Sequence, residues 1–182
     1  MAGIFDRDRN RNRNRPFYYV LDGHGEAVPI GQGDGLTREE VARYLAFKRD
    51  VAARTVEKTI IPISEHPTYS VVVQTAFVGI DLSIAFPLPD GAPALWETSF
   101  LHTPRADVAK DAEAEAAEED DGSGLSEDEP PTPPEIVALA GKLGLPDVEA
   151  FEEWRTVYGT REAAVQGHAE TVRWVRRALG VF

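Results

Sequence analysis

The sequence predicts an α+β protein with a single domain, in which an antiparallel sheet of four or five strands carries two main helices on one face. Three runs rich in β-branched and aromatic residues lie between residues 55 and 102, and no helical pattern separates the last two. This spacing favours hairpin connections over parallel crossovers. Two helix-length segments follow capping signals at Thr37 and Thr160. The prediction includes a long disordered acidic insertion before the last helices.

The composition limits the classes of protein to which this chain can belong. With 182 residues, 42% of them hydrophobic, the chain is long enough to bury one sizeable core. It contains no cysteine, which excludes disulfides, thiolate metal sites and a cysteine nucleophile. No apolar run approaches the roughly 18 residues that span a bilayer, and no apolar stretch follows the N-terminal arginines. We therefore expect a cytoplasmic protein without a membrane contact.

Negative charge is concentrated in one stretch of the chain. The segment from Asp107 to Glu129 has eleven carboxylates and one lysine, and so holds a net −10 of the total −12. Blocks of like charge are usually solvated and disordered. We therefore predict a disordered acidic tether over 107–130. It joins a β-rich segment with one helix, 16–106, to a C-terminal helical segment, 131–182, that completes the same domain.

The N-terminal residues 1–15 form a segment of opposite charge. They alternate arginine with asparagine and have too few large apolar groups to offset the entropy of ordering. We predict a disordered basic arm. Contact with nucleic acid phosphates is one interpretation, and a solvated tail is the favoured one. The arginines in question are Arg7, Arg9, Arg11, Arg13 and Arg15.

The first ordered elements are a hairpin and a helix. An aromatic run from Phe17 to Asp22, a glycine-containing turn and the segment Glu26–Ile30 predict a β-hairpin. Thr37 and Glu40 form a capping box, from which a helix is expected to run to about Ala52. Its predicted buried stripe is Val41, Tyr44, Leu45, Val51 and Ala52, with Phe47 at the margin.

Three strands are predicted next, over Thr55–Ile63, Thr68–Ile80 and Ala94–His102. Pro62 cannot donate a ladder hydrogen bond, which places the first strand at an edge or ends it early. Both faces of the second strand are largely apolar. We therefore expect that strand to be central and to pack against other elements on both faces.

The C-terminal segment is predicted to be helical apart from one short strand. Thr132 and Glu135 suggest a capping box, and Asp147 a short helical turn; Val157 and Tyr158 are expected to be extended. The final helix should begin at Thr160 and end at Gly180. The predicted buried residues of the two main helices here are Ile136, Val137, Leu139, Ala140 and Leu143, then Ala164, Val165, His168, Val172, Val175 and Leu179.

His168 is the first candidate for a chemical role. It falls inside the apolar stripe of the last helix, next to Gly167. A buried imidazole needs a hydrogen-bond partner and titrates near neutrality, so it is a candidate ligand or general base. No second histidine or acid lies three or four residues away to suggest chelation. The favoured interpretation is a core histidine bonded to a carbonyl or a carboxylate.

Three further residues are candidates for acid–base chemistry. His24 lies in the turn Asp22–Glu26, which an Asp-Gly hairpin explains without a ligand. Asp81 follows the central strand and Glu97 lies in the next one, so antiparallel pairing would let them approach each other or His102. An outward-facing Glu97 is the favoured alternative. No phosphate loop, nucleophile elbow or zinc motif is present, and we predict no metal and no cofactor.

Three separated segments carry a family resemblance: Gln74–Asp81 (QTAFVGID), Pro93–Phe100 (PALWETSF) and Tyr158–His168 (YGTREAAVQGH). In this order they resemble a family of short uncharacterised proteins common in bacteriophage and prophage genomes, which has a Gly-His pair in its terminal helix. The resemblance implies a phage origin and no established activity. Leu82 stands where the family usually has histidine, which weakens any metal site built from that position, and the acidic tether is longer than usual.

The leading functional hypothesis is a non-enzymatic interaction module, a phage or prophage accessory protein that binds a host or phage protein in the host cytoplasm. One alternative is a small metal-dependent or acid–base enzyme that uses His24, Asp81, Glu97 and His168. Another is an acidic mimic of nucleic acid that inhibits a host protein through the segment 107–130. An enzyme requires the four side chains to converge in one cleft, whereas an interaction module requires an exposed apolar surface.

Overall fold

A four-stranded antiparallel sheet forms the centre of the structure, a computed structural model that describes residues 17–31, 35–63, 69–104 and 134–181. The predicted basic arm and acidic tether lie outside these residues. The strand order is β3-β4-β5-β6, and a separate hairpin pairs β1 with β2. The predicted α+β class and antiparallel sheet are thereby confirmed. The elements are β1 (Tyr18–Leu21), β2 (Ala27–Ile30), α1 (Arg38–Arg49), α2 (Val51–Arg54), β3 (Thr55–Pro62), β4 (Tyr69–Phe77), β5 (Trp96–Pro104), α3 (Pro134–Lys142), α4 (Val148–Glu152), β6 (Arg155–Tyr158) and α5 (Arg161–Leu179).

The hairpin is attached to the end of β4. Gly79 has φ +79°, a left-handed conformation that favours glycine, and it redirects the chain after β4. Its carbonyl accepts a hydrogen bond from the Tyr19 N–H at 2.9 Å, and Tyr18 pairs with Ile80. Tyr19 is buried beside Phe77, so the hairpin closes one end of the core.

The N-terminal helical region differs from the prediction in its length. The capping box of Thr37 and Glu40 is present, as expected. α1, however, ends at Arg49, because the Asp50 side chain accepts a hydrogen bond from the Ala53 N–H at 2.8 Å and so caps a second, short helix.

Three large residues of the predicted buried stripe are exposed, contrary to the prediction: Val41 and Leu45 in α1, at 39 and 48%, and Val51 in α2, at 43%. α1 packs instead through two aromatic rings, Tyr44 and Phe47, which contact Tyr18 and Phe77 at centroid distances of 5.1 and 5.6 Å. Because α1 rests on the hairpin and the end of the sheet, only one side of its apolar stripe gains a partner. Ala52, also predicted to be buried, lies exposed in α2.

The C-terminal elements agree with the prediction in type and order. The side chains of Asp147 and Thr160 cap α4 and α5, and Gly180 ends α5 at φ +68°. Val137 and Val165 were expected to be buried but are 52 and 36% exposed, because they lie at the margins of their helices' apolar stripes. None of the described helices has the length and apolar character needed to cross a membrane.

The two faces of the sheet have different surroundings. We call the face beneath α5 the inner face; its buried residues include Val71, Val73, Thr75, Phe77, Trp96, Thr98 and Phe100. The opposite, outer face presents Lys58, Ile60, Val72, Gln74, Ala76, Glu97, Ser99 and Leu101. As predicted, Pro62 lies in an edge strand and β4 lies inside the sheet. On the outer face of β4, Val72 is 6% exposed, in agreement with the expectation that both faces of this strand are covered, whereas its cross-strand neighbours Ile60 and Leu101 are 41 and 51% exposed.

Candidate functional site

A row of polar residues crosses the inner face of the sheet beneath α5. Glu57, Thr75, Thr98 and Thr156 are successive register partners in β3, β4, β5 and β6. Thr75 and Thr98 are fully buried, and their hydroxyl oxygens lie 2.6 Å apart, a hydrogen bond. Threonine suits a strand because of its branched Cβ, and a cross-strand pair of this kind satisfies both hydroxyls without water. The two outer residues of the row are exposed.

His168 is inserted into this row from α5. Its Nδ1 lies 2.9 Å from the Thr75 hydroxyl and its Nε2 lies 2.8 Å from the Thr59 hydroxyl. The side chain is 5% exposed, and burial lowers its pKa, an effect that the Glu57 carboxylate opposes. In the neutral imidazole one nitrogen donates and the other accepts, so two hydroxyls are suitable partners for it.

The hydroxyl partners favour the structural interpretation of His168 over a ligand or general base. Both ring nitrogens are engaged inside the protein, which leaves neither available to a metal or a substrate in this arrangement. The structural interpretation of His168 therefore fits the geometry. The partners differ from the carbonyl or carboxylate that we expected, because α5 packs on a sheet face where Thr59 and Thr75 present hydroxyl groups to His168.

Tyr158 extends the polar row toward β6. Its phenol interacts with the hydroxyls of Thr98 and Thr156; burial raises its pKa and these hydroxyls lower it. The ring lies against Gly167 so closely that a Cβ on residue 167 would overlap the phenol oxygen. The glycine next to His168 therefore provides the space in which Tyr158 reaches the row.

Asp81 and His24 have positions that local backbone geometry explains. The Asp81 side chain is 5% exposed and accepts hydrogen bonds from the N–H groups of Ser83 and Ala94 at 2.9 and 3.0 Å. It thus joins the end of β4 to the segment before β5. His24 is exposed in the hairpin turn, where Asp22 Oδ1 accepts from the N–H groups of His24 and Glu26 at 2.8 and 2.9 Å. These bonds also lower the pKa of Asp22.

Glu97 lies on the other side of the sheet from His168. It alternates with the inner-face residues Trp96 and Thr98 and therefore projects from the outer face. Its carboxylate lies 3.9 Å from the Arg155 guanidinium, and both side chains are partly exposed. The structure thus does not bring Glu97 and His168 into one cleft. In the described part of the chain, no three His, Asp or Glu side chains converge to hold a metal ion.

His102, which the prediction considered only as a neighbour of Asp81 and Glu97, contacts a carboxylate of α4. His102 Nδ1 lies 3.9 Å from a carboxylate oxygen of Glu152 in α4, at the far end of the inner face. Its ring also lies 6.5 Å from Phe151, centroid to centroid. His102 lies five residues further along β5 than Glu97 and faces the helices, whereas Glu97 projects from the outer face.

Sequence reasoning missed the residues that hold His168. The strand patterns place Thr59, Thr75 and Thr98 in strands and assign them no further role, although Thr75 interrupts an otherwise apolar face of β4. A threonine on an apolar strand face and a histidine in an apolar helix stripe both need a buried hydrogen-bond partner. That shared need is the signal in the sequence that the two side chains could pair. The sequence predicts the extended conformation of Tyr158 but not its contact with Gly167, because that contact depends on how α5 packs on the sheet.

Comparisons with protein-family models, with curated proteins and with solved structures each return no match. The family resemblance of the three segments therefore stays a prediction.

Proposed function

We propose that this protein is a phage or prophage accessory protein that acts in the host cytoplasm as a non-enzymatic interaction module, and that it binds a partner protein through the outer face of its sheet. The observation that supports this most is an apolar row whose two outer members are exposed. Ile60, Val72 and Leu101 are direct register partners in β3, β4 and β5. Ile60 and Leu101 are 41 and 51% exposed, and the central Val72 is 6% exposed. A contiguous apolar row on a protein surface is typical of an interaction site.

The residues around the row indicate the chemistry of the partner. The next row on the outer face holds Lys58, Gln74, Ser99 and Arg155 in register, with a cation on each outer strand. Arg155 has Glu97 nearby, whereas the exposed Lys58 has no carboxylate within 4.0 Å in the described residues. We therefore favour a partner surface that is apolar at its centre and carries a carboxylate at one margin.

The positions of the four candidate residues favour this proposal over an enzyme. His168 is bonded internally on the inner face, Glu97 lies on the outer face, and Asp81 and His24 stabilise turns. General acid–base catalysis needs its groups within hydrogen-bond reach of one substrate. The acidic-mimic alternative depends on residues 107–130, outside the described part of the chain, and stays a prediction.

The experiment is a comparison of two substitutions of the same kind at different places. Leu101→Lys puts a charge in the apolar row, and Ile84→Lys puts the same charge on a residue that is 73% exposed outside the sheet. Tagged full-length proteins are used to capture partners from a bacterial lysate, and any captured protein is identified, purified and titrated directly. The proposal expects Leu101→Lys to abolish the interaction and Ile84→Lys to retain it. Equal retention by both variants would show that the row is not the binding surface.

A further inference from the structure

A second surface of the molecule has a surplus of positive hydrogen-bond donors. It lies at the corner where α1, α2, β1 and the end of β4 meet, and we call it the donor corner: Tyr44, Lys48 and Arg54, next to the backbone of Val78. All three side chains are partly buried. Neither the proposed function nor the polar row under α5 involves these residues.

The two cations of the donor corner both lie at the end of β4: Lys48 Nζ is 3.4 Å from the Val78 carbonyl, and Arg54 directly precedes Thr55, the register partner of Ala76. Burial lowers the pKa of Lys48, and the charge of Arg54 lowers it further. The same guanidinium also acts on Tyr44, whose pKa burial raises, so this phenol remains a neutral donor. The Arg54 charge thus acts on both Lys48 and Tyr44.

The donors of this corner exceed the acceptors that the protein supplies. Among the described residues, Lys48 Nζ donates one hydrogen bond, to the Val78 carbonyl at 3.4 Å. Arg54 Nε is buried and makes no hydrogen bond in the described structure. Within the described residues, no carboxylate oxygen lies within 4.0 Å of either cation. Partly buried like charges without a counter-ion are costly, and nearby negative charge would offset that cost.

Helix ends explain only part of this arrangement. A cation in the last turn of a helix interacts favourably with the free carbonyls, and Arg49 is an exposed example in α1. Lys48 and Arg54 differ because they are partly buried, repel each other and converge from two helices. The helix dipole does not require them to approach.

We propose that the donor corner is a binding site for a phosphate group, held by Lys48, Arg54 and the phenol of Tyr44. Guanidinium and ammonium groups together match the several oxygens and the charge of a phosphate, and a charge-assisted hydrogen bond is about twice as strong as a neutral one. The apolar Leu45, 48% exposed on the adjacent helix surface, would border the rest of a phosphorylated molecule. The phosphate comes either from a small phosphorylated compound or from a nucleic acid backbone.

Calorimetric titration of the full-length protein tests this site with two probes, inorganic phosphate and a short single-stranded oligonucleotide. The variants are Lys48→Met and Arg54→Gln, and the control is Arg49→Gln, which removes one charge from the exposed surface of α1. We expect saturable phosphate binding that each site variant weakens by about tenfold or more, as loss of one charge-assisted contact implies. The control should stay within about twofold of the parent protein, because the Arg49 charge is exposed and screened.

The two probes identify the source of the phosphate. If the oligonucleotide binds more tightly than inorganic phosphate, and its binding depends on both Lys48 and Arg54, the site is assigned to nucleic acid. If only the binding of inorganic phosphate depends on these two residues, the site is assigned to a small molecule. Absence of saturable binding of either probe, or an equal loss in Arg49→Gln, would overturn the proposal. If a site variant unfolds, nitrogen NMR of Lys48 in the parent protein serves instead: phosphate should raise the pKa of this ammonium, and an unchanged titration would overturn the proposal.

Discussion

The phenol oxygen of Tyr158 occupies the space that a side chain on residue 167 would need. This relationship couples β6 to α5 and lets Tyr158 interact with Thr98 beneath the helix. It also gives a physical reason for a glycine in the middle of a 19-residue helix, where glycine would otherwise cost about 1 kcal/mol relative to alanine.

Gly167→Ala should therefore lower the free energy of unfolding despite the better helix propensity of alanine. Overpacking of a buried site typically costs about 1–3 kcal/mol, which exceeds the propensity gain in most of that range. Gly141→Ala in α3 is the matched control, because a Cβ there meets no atom within 4 Å. Chemical denaturation should find this control neutral or stabilised. Equal stabilisation of both variants would show that Tyr158 moves away without cost.

Thr75→Val should destabilise the protein by about 1–3 kcal/mol, because it removes a hydroxyl that bonds both His168 and Thr98 while keeping the side-chain shape. Thr156→Val, at the exposed end of the same row, is the control and should change stability by less than about 0.5 kcal/mol. The measurement is urea denaturation of both variants. A cost at position 75 no larger than at position 156 would contradict the buried network.

His168 should make stability depend on pH below about 6.5, its ordinary pKa. Because burial lowers the pKa of His168 in the folded state, the unfolded chain binds this proton more readily. The contribution of the neutral imidazole is therefore complete above the unfolded pKa and is lost as pH falls through the folded pKa. His168→Gln should remove this part of the dependence when unfolding free energy is measured from pH 7.5 to 5. The idea fails if parent and variant lose stability in parallel.

Replacement of residues 107–129 by a short Gly/Ser linker should leave the melting temperature within a few degrees. Val108 and Leu125 are the only large apolar residues in this segment, and long surface loops cost little entropy for their length. Thermal unfolding followed by circular dichroism checks the prediction. A cooperative loss of structure in the shortened protein would show that the segment contributes to the core.

Elements with local signals were predicted from the sequence, and those that depend on tertiary partners were not. The capping box at Thr37, the edge position of Pro62 and the end of α5 at Gly180 follow from short-range chemistry, and all three are present. The exposure of Val41 and Leu45 depends on how much surface the hairpin offers to α1. Amphipathic spacing marks an apolar face, but it does not reveal whether a neighbour is large enough to cover it.

The candidate site shows the same division. The burial of His168 followed from its place in the α5 stripe, because helical periodicity places it between Ala164 and Val172. Its partners Thr59 and Thr75 come from two strands more than ninety positions earlier in the chain, so no local pattern connects them. Glu97 projects from the face of the sheet opposite to His168 because of the strand register. A shift of that register by one residue would have turned Glu97 to the inner face.

The most direct test of the account is the dissociation constant of a purified partner for three proteins: the parent, Leu101→Lys and His168→Gln, compared at a temperature where all three are folded. The account predicts that the change in the outer-face row weakens binding by more than about tenfold, because a buried apolar contact at an interface centre commonly exceeds 1 kcal/mol. It predicts that His168→Gln stays within about threefold of the parent, since His168 lies on the inner face. Unchanged binding by Leu101→Lys together with a loss in folded His168→Gln would contradict it and place the function at the buried histidine.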